Sequence, residues 1–335
     1  LAMARADSGL LNRVRNFRIS PERYQKVTLI ALVALMTIVF TGAAVRLTAS
    51  GLGCPDWPKC HGQVVAPAQI NAWIEYGNRL VTGVVSIAVI AASLLAFFRR
   101  PYRWHLAFFG ALLPLGVICQ AILGAFVVYY HLPPGLVIGH FILSMILLDA
   151  AFALFWCSRY EPGERRYSTD PLGTWAIRLL IPFGQFTVLL GTIATGSGPH
   201  PGDHDKELVG RFDFKGADTL EWVVQRHAAM AVLFAVAALV VIFIVRRKGG
   251  DRRPIKPLYV TFGLICFQIA LGVTQWLLHL PAWMVWVHVV VATLLWVAVL
   301  WSVAKAGQLT PGSKWALRRK PDPGVPQPDP SPAGS

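Results

Sequence analysis

Long apolar runs recur along this chain, and that recurrence limits its fold more than any single motif does. Eight stretches, at 27–46, 74–98, 106–129, 135–158, 174–195, 222–245, 257–278 and 282–304, are each almost wholly apolar. Each is long enough to cross a hydrocarbon core of ~30 Å as a helix. Only 14% of the residues are charged, against roughly 25% in an ordinary soluble domain. No small-residue cleavage site of the signal-peptide kind follows the first run, so it reads as a retained span.

The net charge of +14 invites a nucleic-acid partner, but its distribution argues for a membrane. All but seven of the 31 Lys and Arg residues lie in segments 1–26, 99–105, 157–178, 246–256 and 305–320. The seven exceptions are Arg46, Lys59, Arg79, Lys206, Arg211, Lys215 and Arg226. Basic segments that alternate with poorly basic ones follow the positive-inside pattern. That pattern predicts a plasma-membrane protein with both termini cytoplasmic and with 47–73, 130–134, 196–221 and 279–281 outside. The basic loops are then suited to anionic lipid heads, and nucleic acid is excluded as a partner. After Lys320 the chain is a Pro-rich tail that cannot build a core and is expected to be disordered.

The spans repeat. Gln120-Ala-Ile-Leu-Gly124 is echoed by Gln268-Ile-Ala-Leu-Gly272. His-Leu-Pro begins 11 residues after each glutamine, at His131 and His279, and another histidine comes nine residues later, at His140 and His288. Upstream, Trp73 precedes Asn78 by five, as Trp222 precedes His227. The fold class predicted is an all-α membrane protein of eight transmembrane helices, arranged as two pseudo-symmetric four-helix bundles. An even number of helices per unit makes the repeat parallel, with its axis along the membrane normal. The expected units are a cytoplasmic segment 1–26, a bundle 27–158, a linker 159–173, a bundle 174–304 and a cytoplasmic tail 305–335.

His227 and His288 both fall near the outer starts of their spans. Two imidazoles on facing helices at matching depth can clamp an iron porphyrin, and bundle cores hold such cofactors. Taken singly, each is equally an interfacial histidine; the repetition at a fixed register favours the ligand reading. The first half offers Asn78 and His140 at the corresponding positions. An amide oxygen is a weak axial donor, so one iron position there is left open or is reached by His131. An open position suits a substrate, whereas a two-histidine site suits electron transfer.

Glu75 lies one helical turn from Asn78 on the same face. It is either a functional carboxylate facing the bundle or a solvated acid at a helix start. Arg79 and Arg226 flank this level, placed either to pair with heme propionates or to snorkel to the interface. Cys54 and Cys60, in a Gly/Pro-rich outer loop, suggest a disulfide in an oxidising compartment, with His61 adjacent should a metal be bound instead. Cys119, Cys157 and Cys266 fall within spans and read as buried apolar residues. Asp149 is an acid within a span, with a helix–helix hydrogen bond as its simplest role. His200 and His204 sit among Pro and Gly, as a lid or as metal ligands.

Several of these elements resemble the heme A synthase family, in a form of actinobacterial type. They are Arg46-Leu-Thr-Ala-Ser-Gly-Leu-Gly-Cys-Pro-Asp-Trp-Pro58, the Glu75 turn, Thr195-Gly-Ser-Gly-Pro-His200 and the paired histidines. The resemblance covers about 27–304. It implies an enzyme, an oxidoreductase that oxidises the C8 methyl of heme O to the formyl of heme A for terminal oxidases. It further implies a heme b cofactor on His227 and His288, substrate heme in the first half, a catalytic Glu75, and Cys54 and Cys60 as the outer-loop cysteine pair. Heme O synthase and terminal-oxidase assembly factors are the partners implied, and a homo-oligomer is compatible. The departure is Asn78, where the family pattern is Glu-x-x-His, so His140 alone is expected to face the substrate iron. The competing reading is a quinol-linked two-heme b-type cytochrome, which would want two imidazoles in both halves. A transporter on a parallel repeat would want more polar residues at mid-membrane than the spans supply.

Overall fold

A computed structural model describes residues 16–161, 164, 167–205, 209–247 and 250–309. The described chain is helical, and its only extended pairings are isolated bridges. The helices are α1 (Pro21–Leu47), α2 (Ile70–Phe98), α3 (Trp104–Tyr129), α4 (Pro134–Ser158), α5 (Pro171–Arg178), α6 (Leu180–Ser197), α7 (Thr219–Arg247), α8 (Ile255–Leu277) and α9 (Ala282–Ala306). With α5 and α6 taken as one span, eight segments among the described residues are long and apolar enough to cross a membrane. The chain is a multi-pass membrane protein.

Most helices extend a few residues past the apolar runs, because capping residues and not hydropathy set their ends. Ser20 accepts the N–H of Arg23 at 3.4 Å and Pro21 opens α1, so this helix starts six residues before the run at 27 and takes in part of segment 1–26. Asp170 caps α5 through the N–H of Gly173 at 2.9 Å. The break between α5 and α6 also has a cause. Pro182 has no N–H for the carbonyl of Arg178, the residue at which α5 ends. The Pro-rich tail after Lys320 lies outside the described residues.

In the first bundle α1 packs on α2, α2 on α3, α3 on α4, and α4 back on α1; α6, α7, α8 and α9 close a second ring in the same order. The rings meet through α1 on α9, α4 on α6 and α4 on α9. That pattern maps onto itself when the halves are exchanged, as a two-fold axis along the membrane normal requires. Two tryptophans bond across the seam: the Trp286 indole donates to the Phe40 carbonyl at 2.9 Å, and the Trp296 indole to Asp149 Oδ1 at 2.7 Å. Asp149 therefore has the helix–helix bond expected of it. Ile30, Val84, Ile87 and Phe243 stand exposed on helix exteriors, where lipid is their partner.

The repeat is reproduced down to the backbone. After α3 and after α8, His-Leu takes two left-handed residues (φ 58° and 58°; 61° and 58°) before a proline. The N–H of Leu132 reaches Val127 O at 2.8 Å and that of Leu280 reaches Gln275 O at 2.7 Å. Both turns are Schellman ends with histidine where glycine is usual. They lie on the face that carries the Cys54–Cys60 loop.

Cys119 and Cys266 are exposed and Cys157 is half-buried, which corrects the expectation that all three are buried. A thiol is apolar enough to face lipid, so a place in a span does not imply a place in the core.

Candidate functional site

The second bundle brings His227 on α7 and His288 on α9 together across its diagonal, with ring centroids 6.2 Å apart and planes tilted by 58°. His227 Nδ1 lies 3.0 Å from the Thr187 carbonyl. A carbonyl only accepts, so the proton sits on Nδ1 and Nε2 keeps its lone pair. Gly191, one turn along α6 from Thr187, makes room for this ring: a Cβ there would lie 2.9 Å from His227 Cε1. Gln268 donates to the carbonyl of His288 at 3.0 Å, and the buried Nδ1 of His288 has no partner among the described residues.

These residues fit an iron porphyrin. A ring nitrogen about 2 Å from a metal puts its ring centroid about 3 Å from that metal, so two imidazoles on opposite sides stand about 6 Å apart. Among the described residues no three His, Cys, Asp or Glu gather to hold a metal. Two imidazoles alone suit a metal that brings its own equatorial ligands.

The first bundle copies half of this arrangement. Gln120 donates to the carbonyl of His140 at 3.0 Å and to Ser144 Oγ at 2.7 Å, and His140 Nδ1 is buried without a partner among the described residues. Gly124 and Gly272 approach the two repeated histidines alike; a Cβ would lie 3.4 Å and 3.5 Å from Cε1. Asn78, at the position of His227, is engaged elsewhere: its Oδ1 accepts the Thr41 hydroxyl at 2.7 Å. His131 is exposed in the left-handed turn above this bundle.

Glu75 is 6% exposed, and each of its oxygens is engaged once. Its Oε2 accepts the N–H of Cys54 at 2.7 Å and its Oε1 takes Arg79 Nη2 at 2.6 Å. Arg79 also donates to the carbonyls of Cys54 (3.1 Å), Asp56 (3.0 Å) and Lys59 (2.7 Å). Its guanidinium, a candidate for propionates, is directed at this loop. Cys54 and Cys60 are joined as a disulfide. The loop is tied further by Asp56, whose carboxylate accepts the N–H of Gly62 at 2.7 Å and of His61 at 2.6 Å. Those bonds, with Gly62 foremost, hold the Asp56 carboxyl below the usual carboxylate range.

The cytochrome oxidase assembly protein family model, COX15-CtaA, matches residues 25–300. A heme A synthase of Exiguobacterium sibiricum is 33% identical over 242 residues, covering 71% of this chain and 80% of that protein. The chain belongs to the heme A synthase family. The chain is also similar to the heme A synthases of Shewanella oneidensis (23% identical over 303 residues, 75% and 87% covered) and Staphylococcus saprophyticus (25% over 299 residues, 82% and 93%).

In this family member the remaining candidates are dispersed. Arg226 is exposed and stacks on the Trp222 ring, 4.0 Å from its centroid. His200 Nε2 bonds the Leu280 carbonyl at 2.8 Å, which places it as a strut between loops. His204 is exposed. Sequence reasoning passed over Thr187, Gly191 and Arg211. The first two act through a backbone carbonyl and through an absent side chain, which leave no motif. Arg211 did carry a signal, as one of seven basic residues on the poorly basic side.

Proposed function

We propose that this chain is a heme A synthase, an oxidoreductase that converts the C8 methyl of substrate heme O to a formyl group. The unequal pair of sites carries the reading. The second bundle presents two imidazoles 6.2 Å apart, whereas the first presents one imidazole, an asparagine engaged by Thr41 and a buried carboxylate. Heme b is the cofactor proposed for His227 and His288, and when bound it would supply one-electron chemistry.

The chain's own residues do the rest. Thr187 fixes the tautomer of His227. His140 faces the substrate iron from one side, with His131 at the rim of the same half. Glu75, each oxygen engaged once and retaining acceptor capacity, orients the substrate edge and exchanges a proton there. Two successive hydroxylations of the methyl carbon, each adding one oxygen atom either from dioxygen with two electrons from an external donor or from water with two electrons passed to an external acceptor, give a geminal diol, which loses water to the aldehyde. A two-heme electron-transfer cytochrome would need a ligand where Asn78 stands.

We place the disulfide face outside the plasma membrane and both termini in the cytoplasm. Heme O synthase is the proposed upstream partner and terminal-oxidase assembly the downstream one, with a homo-oligomer compatible with either. The test is chromatography of hemes extracted from cells that make this chain together with a heme O synthase. A heme A peak that depends on the chain is expected. Heme b and unconverted heme O alone, from folded and heme-loaded protein, would overturn the reading.

A further inference from the structure

Seven basic residues remain on the poorly basic side of the chain, and among their arginines two stand apart. Arg79 has Glu75 as its counter-ion and Arg226 lies on an aromatic ring. Among the described residues Arg46 and Arg211 have neither. Both donate to one oxygen, the carbonyl of Thr195, at 2.9 Å from Arg46 Nη2 and 3.5 Å from Arg211 Nη1. Arg46 Nε goes to the His200 carbonyl at 3.0 Å, and Arg211 Nη2 to the carbonyl of Gly198.

Among the described residues no carboxylate pairs with either arginine. Two guanidiniums gathered on neutral carbonyls repel each other and retain free donors, since each carries five N–H groups. They lie at the seam, where Arg46 of the first bundle grips the loop that ends α6 of the second. Arg46 also lines a cavity of about 140 Å³ with Ala49, His200, Asp203 and His204. Asp203 Oδ1 accepts the N–H of Asp205 at 2.9 Å, and among the described residues Asp203 forms no ion pair with Arg46. Thr195 is eight residues beyond Thr187 on α6, about 12 Å along the helix from the carbonyl that anchors His227.

We propose that Arg46 and Arg211 form a carboxylate-binding site at the seam between the bundles. The carboxylate comes either from the propionates of a porphyrin held by the second bundle or from a small free acid. The first source rests on the second-bundle assignment under Proposed function; the charge chemistry does not. Guanidinium is the group best matched to a carboxylate, through paired N–H donors.

The test titrates heme-free, full-length protein in detergent with protoheme and with its dimethyl ester, whose carboxyls are neutral. Both forms share ligation and packing, so their affinity ratio is insensitive to general loosening. The wild type is expected to prefer the free acid by roughly tenfold, the effect of one strong charged contact. Arg46→Gln and Arg211→Gln should each bring the ratio toward one, and Arg46→Lys should restore part of it. If the ratio is the same in wild type and both Gln variants, acetate raising the unfolding temperature of heme-free wild type but of neither variant assigns the site to a free acid. No change in either arm overturns the proposal. A wild type lacking any two-imidazole heme spectrum would overturn the second-bundle assignment instead, and the acetate arm would still decide the site.

Discussion

Glu75 Oε2 accepts the N–H of Cys54 at 2.7 Å. Through this bond the buried acid of the first bundle and the disulfide loop above it form one unit, with Arg79 bracing both. The carboxylate is therefore positioned by a loop outside the bundle as well as by its own helix.

Glu75→Gln retains an oxygen for the Cys54 N–H but cannot serve Arg79 as an anion. Purified Glu75→Gln protein is expected to keep its heme and accumulate heme O or an alcohol intermediate. Chromatography of extracted hemes checks this, and a full heme A yield would remove Glu75 from the chemistry.

Cys54→Ser with Cys60→Ser opens a short loop, at a cost of about 2 kcal/mol by chain entropy. That loop is bonded to Glu75 and Arg79 of the first bundle, so the His227–His288 heme spectrum should be unchanged while heme A yield falls. Loss of both signals together would show that the loop supports the whole fold.

Gly191→Ala places a Cβ where the imidazole of His227 lies, 2.9 Å from Cε1. The ring must turn away from Thr187, and bound heme per chain should fall several-fold with the low-spin spectrum. Gly124→Ala, in ordinary contact with His140, should leave that spectrum intact.

Trp296→Phe removes the donor to Asp149 across the seam. An acid left unpaired there costs about 1–3 kcal/mol, which thermal unfolding in detergent would report as a lower midpoint. An unchanged midpoint would mean that the Trp296–Asp149 bond contributes nothing to the stability of the seam.

The Asp56 carboxyl is held low by the Gly62 and His61 amides. A depressed folded value means the loop is stabilised above the ordinary carboxylate value, and that this is lost as pH falls through the depressed one. Amide exchange at His61 and Gly62 should therefore accelerate, relative to its intrinsic rate, only at acid pH. Asp56→Asn should abolish that dependence.

Much of this architecture was legible in the residues. Eight apolar runs, the Gln120/Gln268 pair and the doubled His-Leu-Pro led to two bundles, because each is a pattern of side chains at fixed spacing. Asn78 marked the asymmetry of the two halves for the same reason. Helix ends were less legible, since Ser20 and Pro182 act through caps and missing N–H groups that hydropathy does not register. The links between Glu75 and Cys54, and between Arg46 and the Thr195 carbonyl, were not legible at all. They join residues far apart in the chain through backbone atoms, which every residue carries.

The central claim is that the halves are unequal, with one resident heme in the second bundle. Its most direct measurement is the heme content and low-temperature spin state of purified chain from a host that makes no heme O. The account expects one low-spin, two-imidazole heme b per chain, lost in His227→Ala and retained in His140→Ala. Two such hemes per chain, or a single heme that survives His227→Ala and disappears with His140→Ala, would contradict it.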